Sequence, residues 1–205
     1  MQANTSGASL FELLLLAALW MLFGFMIWYY LSAFHGIPVR QVSDAILSAL
    51  LDDSFYNIIP NPDRMYLFQV QTRIPFEFPD GSVGALGFIV NPLIYSWGLP
   101  VLFGLEMGVE ASWRRKIITL MIGTFAIFTV QVWGVVWETL KELAFTFGGS
   151  SGQVVANAGI SPELIALCYQ LGVLILPPLV PVFIWVIANW SEVERYAGWH
   201  LEVSS

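Results

Sequence analysis

The sequence is poor in charge and in the side chains that most often carry chemistry. Of 205 residues, eight are Lys or Arg, 15 are Asp or Glu, two are His and one is Cys. The charged fraction, 11%, is less than half of the roughly 25% found in ordinary soluble domains, which excludes most soluble folds. A lone Cys168 cannot close an internal disulfide, so the chain is not a disulfide scaffold. A net charge of −7 gives no attraction for a polyanion, and nucleic acid is not expected as a partner. There is no Gly-rich phosphate loop and no His/Cys/Asp cluster at metal-ligand spacing, so neither a cofactor nor a metal is expected.

What is abundant is apolar: 57% of residues are hydrophobic and 15% aromatic. A membrane-crossing helix needs about 20 mostly apolar residues. Four stretches are candidates: Leu10–Phe34, Leu93–Val109 with Pro100, Ile117–Trp137, and Glu163–Trp190 with Pro177, Pro178 and Pro181. The first run is too long for a signal-peptide core, and Met1–Ser9 has no Lys or Arg, so it reads as a retained anchor. Arg114, Arg115 and Lys116 fill the short loop between the second and third spans, which the positive-inside rule places in the cytoplasm. Four spans then put both termini there, including the acidic tail 191–205 with Arg195 and His200. The prolines of the fourth span predict a kink or an unwound segment.

The expected organisation is residues 1–34 as tail and first span, 35–92 as a periplasmic insertion, 93–190 as three further spans, and 191–205 as a cytoplasmic tail. The fold class is thus an integral membrane protein, mainly α: a four-helix transmembrane bundle with a small periplasmic α/β insertion. Within the insertion, Val42, Ala45, Ile46, Ala49 and Leu50 recur at helical spacing and predict an amphipathic helix along the membrane surface. Tyr66–Ile74 alternates with period two, Pro79-Asp80-Gly81-Ser82 is a turn, and Val83–Val90 reads as a second strand, predicting a β-hairpin.

Polar groups inside a membrane are candidates for function because burying them is costly. Glu106, one turn from the cytoplasmic end of span two and inside Gly104-Leu-Glu-Met-Gly108, reads as an acid that snorkels to the interface beside close-packing glycines. Gln131 and Gln170 fall at similar depths, about 21 Å from Ile117 and about 12 Å from Pro162 at 1.5 Å per residue. They are expected to bridge two helices. Gln131, Glu138 and Glu142 share one stripe, Lys141 follows Glu138 at pairing distance, and Glu163 and Gln170 repeat the seven-residue spacing. With Asn91 and Tyr95, these residues turn toward one face of the membrane. Two readings are open: an interfacial girdle with Trp133, Trp137 and Tyr169, or a periplasm-facing groove that holds a peptide or a partner helix. The groove reading names Asn91, Tyr95, Gln131, Trp133, Glu138, Lys141, Tyr169 and Gln170 as contact residues, with no catalytic residue. The alternative, an intramembrane cysteine peptidase or transpeptidase, would use Cys168 with His35 and Arg40. A plain membrane scaffold is a third reading.

Three stretches, Asn91-Pro-Leu-Ile-Tyr-Ser-Trp-Gly-Leu-Pro100, Gln131-Val-Trp-Gly134 with Lys141-Glu-Leu-Ala-Phe145, and Leu164-Ile-Ala-Leu-Cys-Tyr-Gln-Leu-Gly172 leading to Leu176-Pro-Pro-Leu-Val-Pro181, occur in an order that resembles the exosortase H-associated membrane proteins of Gram-negative bacteria. The resemblance runs from about Tyr66 to Trp185. Exosortases are multi-spanning cysteine enzymes that process proteins carrying a C-terminal signal: a short motif, a transmembrane helix and a basic tail. The resemblance implies an accessory subunit in the bacterial inner membrane. Its partners would be an exosortase-like enzyme or the enzyme's C-terminally anchored substrate, with the lipid bilayer around them. It supplies no catalytic residue, and spans two to four hold no Arg or His of the kind such an enzyme needs.

Overall fold

A computed structural model describes residues 10–197. In chain order the elements are α1 (Leu10–Tyr30), α2 (Ser32–Leu51), β1 (Phe55–Pro60), β2 (Phe68–Glu77), β3 (Val83–Val90), α3 (Gly98–Gly108), α4 (Trp113–Lys141), α5 (Gly149–Asn157), α6 (Pro162–Gln170), α7 (Leu176–Ala188) and α8 (Trp190–Ala197). A π-helical segment, Glu142–Phe147, prolongs α4, and another, Leu171–Ile175, joins α6 to α7. Among the described residues, three helical stretches are long and apolar enough to cross a membrane: Phe11–Tyr30, Trp113–Phe147 and Pro162–Ala188.

The expected second span is a short helix. Leu93–Val109 divides into a 3-10 turn, Pro92–Tyr95, and α3, whose 11 residues rise about 16 Å, roughly half of a hydrocarbon core. Pro100 falls in the first turn of α3, where its missing N–H has no helical partner to lose, so it marks a helix start. The proline-rich last span is not unwound. It stays helical throughout, and the π segment lies just before Pro177 and Pro178, where the helix loses two N–H donors.

The described chain forms two compact units. One contains 10–29, 97–126 and 178–197. Here α1 and α3 run antiparallel at close range. A Cβ on Gly104 would stand 2.6 Å from the Ala17 carbonyl oxygen, one on Gly108 3.2 Å from that of Leu13, and one on Gly24 3.3 Å from Pro100 Cα. At 104 only glycine permits this approach, and at 24 and 108 a Cβ would be a tight fit; the expected packing role of Gly104 and Gly108 is present. Glu106 does not snorkel. It is fully buried, and its Oε2 accepts a hydrogen bond from Asn189 Nδ2 at 2.9 Å. Two residues from each glycine, Glu106 lies on the face of α3 opposite the α1 contact, where Asn189 covers it. Of the expected tail, 191–197 continues α8; His200, residues 198–205 and residues 1–9 lie outside the described residues.

The other unit contains Tyr30–Ser96 and Ile127–Pro177. Its sheet has three antiparallel strands in the order β1-β2-β3, one more than the expected hairpin. The helix before the sheet begins at Ser32 and buries Ser32, Gly36, Val39, Ser43, Leu47 and Leu51. The expected stripe is turned outward: Val42, Ile46 and Leu50 are exposed. α2 is apolar on two faces, and the sheet takes the one containing serine and glycine, whose small side chains let the backbone come close. Asp44 and Arg40, one turn apart on α2, fix β1. Asp44 Oδ1 accepts from the Ile58 amide at 2.6 Å, and Arg40 Nη1 donates to the Ile58 carbonyl at 3.1 Å. An edge strand's free peptide group is thereby occupied. In β2, Thr72–Ile74 face Leu86 alone. The Thr72 hydroxyl closes this bulge by donating to the Leu86 carbonyl at 2.8 Å and accepting from the Ile74 amide at 3.2 Å. Val39, Leu47, Val70, Leu86, Val135 and Leu140 belong to one buried cluster that ties sheet, α2 and α4 together. The glycine-serine stretch 148–152 is a turn only at Gly148 and Gly149, both with positive φ. From Gly149 it is α5, anchored where the Ser151 hydroxyl reaches the Leu143 carbonyl at 2.9 Å.

Candidate functional site

The candidate site lies wholly in the second unit. The 3-10 turn, the C-terminal half of α4, and α6 contribute to it. Asn91 Oδ1 accepts from the Leu93 amide at 3.1 Å and so caps the turn that Pro92 opens. The capped turn presents the Pro92 carbonyl to α4, where Gln131 Nε2 donates to it at 3.1 Å in a buried setting. One turn of α4 further on, Gly134 leaves space for the Tyr95 ring; a Cβ there would collide with it. Another turn on, Glu138 Oε2 accepts from the Tyr95 hydroxyl at 3.0 Å. Tyr95 itself is fully buried. Residues 131, 134 and 138 thus read down one face of α4 and hold the turn at three points.

The neighbouring face of α4 meets α6. Trp133 Nε1 donates to the Cys168 carbonyl at 3.0 Å, and its indole lies 3.0 Å from where a Cβ on Gly172 would be. The Trp133 and Trp137 rings are 5.6 Å apart. Lys141 forms an ion pair with Glu142, and its Nζ stands 4.8 Å from the centre of the Tyr169 ring, within cation–π range. Both helices change from α to π hydrogen bonding at this point: α4 after Lys141 and α6 after Gln170.

Seven of the eight expected contact residues are therefore engaged in these contacts. Gln170 is exposed, and the Gln131 amide is committed to Pro92, so the two glutamines do not form the expected bridge. The equal-depth argument located them along their helices but not around them. Lys141 pairs with Glu142 in place of Glu138, whose carboxylate is taken by Tyr95. Gly134 and Gly172, which allow the aromatic rings in, had no assigned role; a glycine in an apolar helix gives no sign of the ring it faces.

Among the described residues no hydrogen bond joins the three groups of the cysteine alternative. Cys168 is buried, with its carbonyl bound to Trp133, and Arg40 is spent on the β1 peptide. His35 Nε2 is buried with no hydrogen-bond partner; burial pulls the imidazole below the ordinary value, and the ring's hydrogen bond with Gln131 offsets this only in part.

Apolar helices of spanning length, a small sheet, and a polar cluster held between helices define an integral membrane protein. The chain belongs to the exosortase H-associated membrane protein family, which it matches over residues 7–192. No curated protein and no solved structure matches it. The family is named for association with an exosortase, which implies an accessory rather than a catalytic place.

Proposed function

We propose that the protein is an accessory subunit of an exosortase-type sorting system that binds the enzyme, or the C-terminal sorting helix of its substrate, along α4 and α6. The observation that carries this reading is the Lys141–Tyr169 contact at the point where both helices turn from α to π. Such π segments recur at functional sites. Lys141 and Tyr169 are half-buried, unlike the sealed Tyr95 and Gln131. Beside them Leu167, Gln170 and Leu174 are exposed, which offers apolar contact area and one amide to an incoming helix. Gln170, left without its expected partner, becomes the residue best placed to bond across that contact.

Its setting is the bacterial inner membrane. The antiparallel run of α1 and α3 supports a second, short crossing there, which returns both termini to the cytoplasmic side with Arg114, Arg115 and Lys116. The sheet and α2 then face the periplasm, and the outward Phe34, Ile37 and Val42 of α2 meet the membrane surface. The test is co-purification after crosslinking of Lys141→Gln with Gln170→Leu. Complex with the exosortase or its substrate is lost while the variant stays in the membrane. A double variant that co-purifies as well as the native chain overturns the proposal.

A further inference from the structure

In the unit formed by 10–29, 97–126 and 178–197, a groove runs between the start of α4 and the end of α7. Arg114 and Arg115 stand at its mouth, and Ile118, Ile122, Ile184 and Ile187 form its wall. Its volume, about 510 Å³, lies in the range of small-molecule sites. The wall is apolar and exposed, with Ile122 58% and Ile187 61% accessible, although both helices are long and apolar enough to cross a membrane.

The cations at the mouth are unequally engaged. Arg115 donates to the Ala188 carbonyl at the end of α7, and Lys116 Nζ to the Met107 carbonyl at 3.4 Å near the end of α3. Each therefore neutralises a helix C-terminus. Arg114 is exposed and has no side-chain partner among the described residues. All three cations lie in the first turns of α4, which carry no acid. There the helix dipole is positive and opposes them. Three of the chain's eight basic residues are thus gathered at the least favourable end of a helix in a protein of net charge −7. An anion at Arg114 would relieve that arrangement.

We infer that this groove holds an anionic phospholipid, with its phosphate at Arg114 and Arg115 and one acyl chain along the four isoleucines. Basic pockets between membrane helices bind anionic headgroups. A soluble phosphate would satisfy the arginines and leave the wall unused; a neutral lipid would use the wall and leave Arg114 uncompensated. This site is separate from the α4–α6 contact of the proposed function and does not depend on it.

The full chain in mild detergent is mixed with equal amounts of phosphatidylglycerol and phosphatidylcholine and examined by native mass spectrometry. Phosphatidylglycerol is retained about fivefold in preference, the factor that one cation near a headgroup supplies. Arg114→Gln abolishes the preference and Arg114→Lys keeps it; both changes are at an exposed position. Ile187→Trp, which fills the groove, reduces retention of both lipids. Equal retention of the two lipids by the native chain, a preference that survives Arg114→Gln, or full displacement of the lipid by millimolar inorganic phosphate overturns the inference.

Discussion

The Tyr95 hydroxyl reaches the Glu138 carboxylate at 3.0 Å, and the Tyr95 ring occupies the space that Gly134 leaves one turn earlier on the same helix. The two contacts depend on each other, because the ring must lie flat on α4 for the hydroxyl to arrive.

Tyr95→Phe removes the hydroxyl and leaves a carboxylate oxygen without its donor. The expected loss is about 1–3 kcal/mol, read as a lower melting temperature in detergent. Gly134→Ala gains at most about 1 kcal/mol of helix propensity. It loses more, because overpacking costs about 1–3 kcal/mol and the added carbon falls inside a ring. Both variants melt below the native protein. A Gly134→Ala protein that melts higher would show that the ring moves away freely.

Gln131→Leu breaks the amide bond to Pro92 and removes the side-chain partner of His35. Bonds of this kind average about 0.6 kcal/mol in membranes, so the expected change is small. Gln170→Leu, at an exposed position, leaves the melting temperature unchanged and lowers only partner recovery. A large thermal effect of Gln170→Leu would mean that it belongs to the internal packing.

Asp44 holds the Ile58 amide with a charge. Asp44→Ala is expected to cost about 1.5–3 kcal/mol, since a hydrogen bond with an ionised partner is the stronger kind, and more than Arg40→Ala, whose contact is longer at 3.1 Å against 2.6 Å. Hydrogen exchange at Ile58 reads this directly. Unchanged protection in Asp44→Ala would contradict it.

The buried imidazole of His35 makes stability depend on pH. Its folded-state pKa lies below 6.5, so the unfolded chain takes up the proton first. Stability is therefore fully present above about pH 6.5 and falls as pH drops through the lowered folded value. Melting curves from pH 8 to pH 5 show this decline, and His35→Phe makes it shallower. An identical slope in the variant removes His35 from the explanation.

Cys168→Ser is expected to leave processing of exosortase substrates intact in cells, because an accessory subunit lends no nucleophile. Loss of processing, with the variant present at normal level, would return the cysteine chemistry to consideration.

The sequence carried the membrane class, three of the four expected spans and β3 well, because apolar length and period-two alternation are local signals. It did not carry β1. Phe55-Tyr-Asn-Ile-Ile-Pro60 follows two aspartates, is interrupted by a bulge after Phe55, and becomes a strand only by pairing with β2. In α2 one apolar face, with Val42, Ile46 and Leu50, was legible, and the second, which the sheet takes, was not, because only packing distinguishes them. The break between α1 and α2 at Leu31 was invisible for a similar reason: apolar residues continue across it. At the candidate site, residue types and depth along each helix were legible, while pairing was not. Glu138 chose Tyr95, 43 positions away in sequence, over Lys141 on its own helix. Rotation about a helix axis decides such choices, and the π segments alter that rotation.

Each π turn accommodates more residues than an α turn. The segment Leu171–Ile175 therefore takes up about one residue more than an α-helix holds in the same turn. Deleting one residue from it would restore plain α hydrogen bonding. The same deletion inside the α turns of α6 has no wide turn to absorb it, and would rotate the residues on one side of it by about 100°. The π stretch is thus the place where this helix tolerates a change of length without turning Tyr169 away from Lys141.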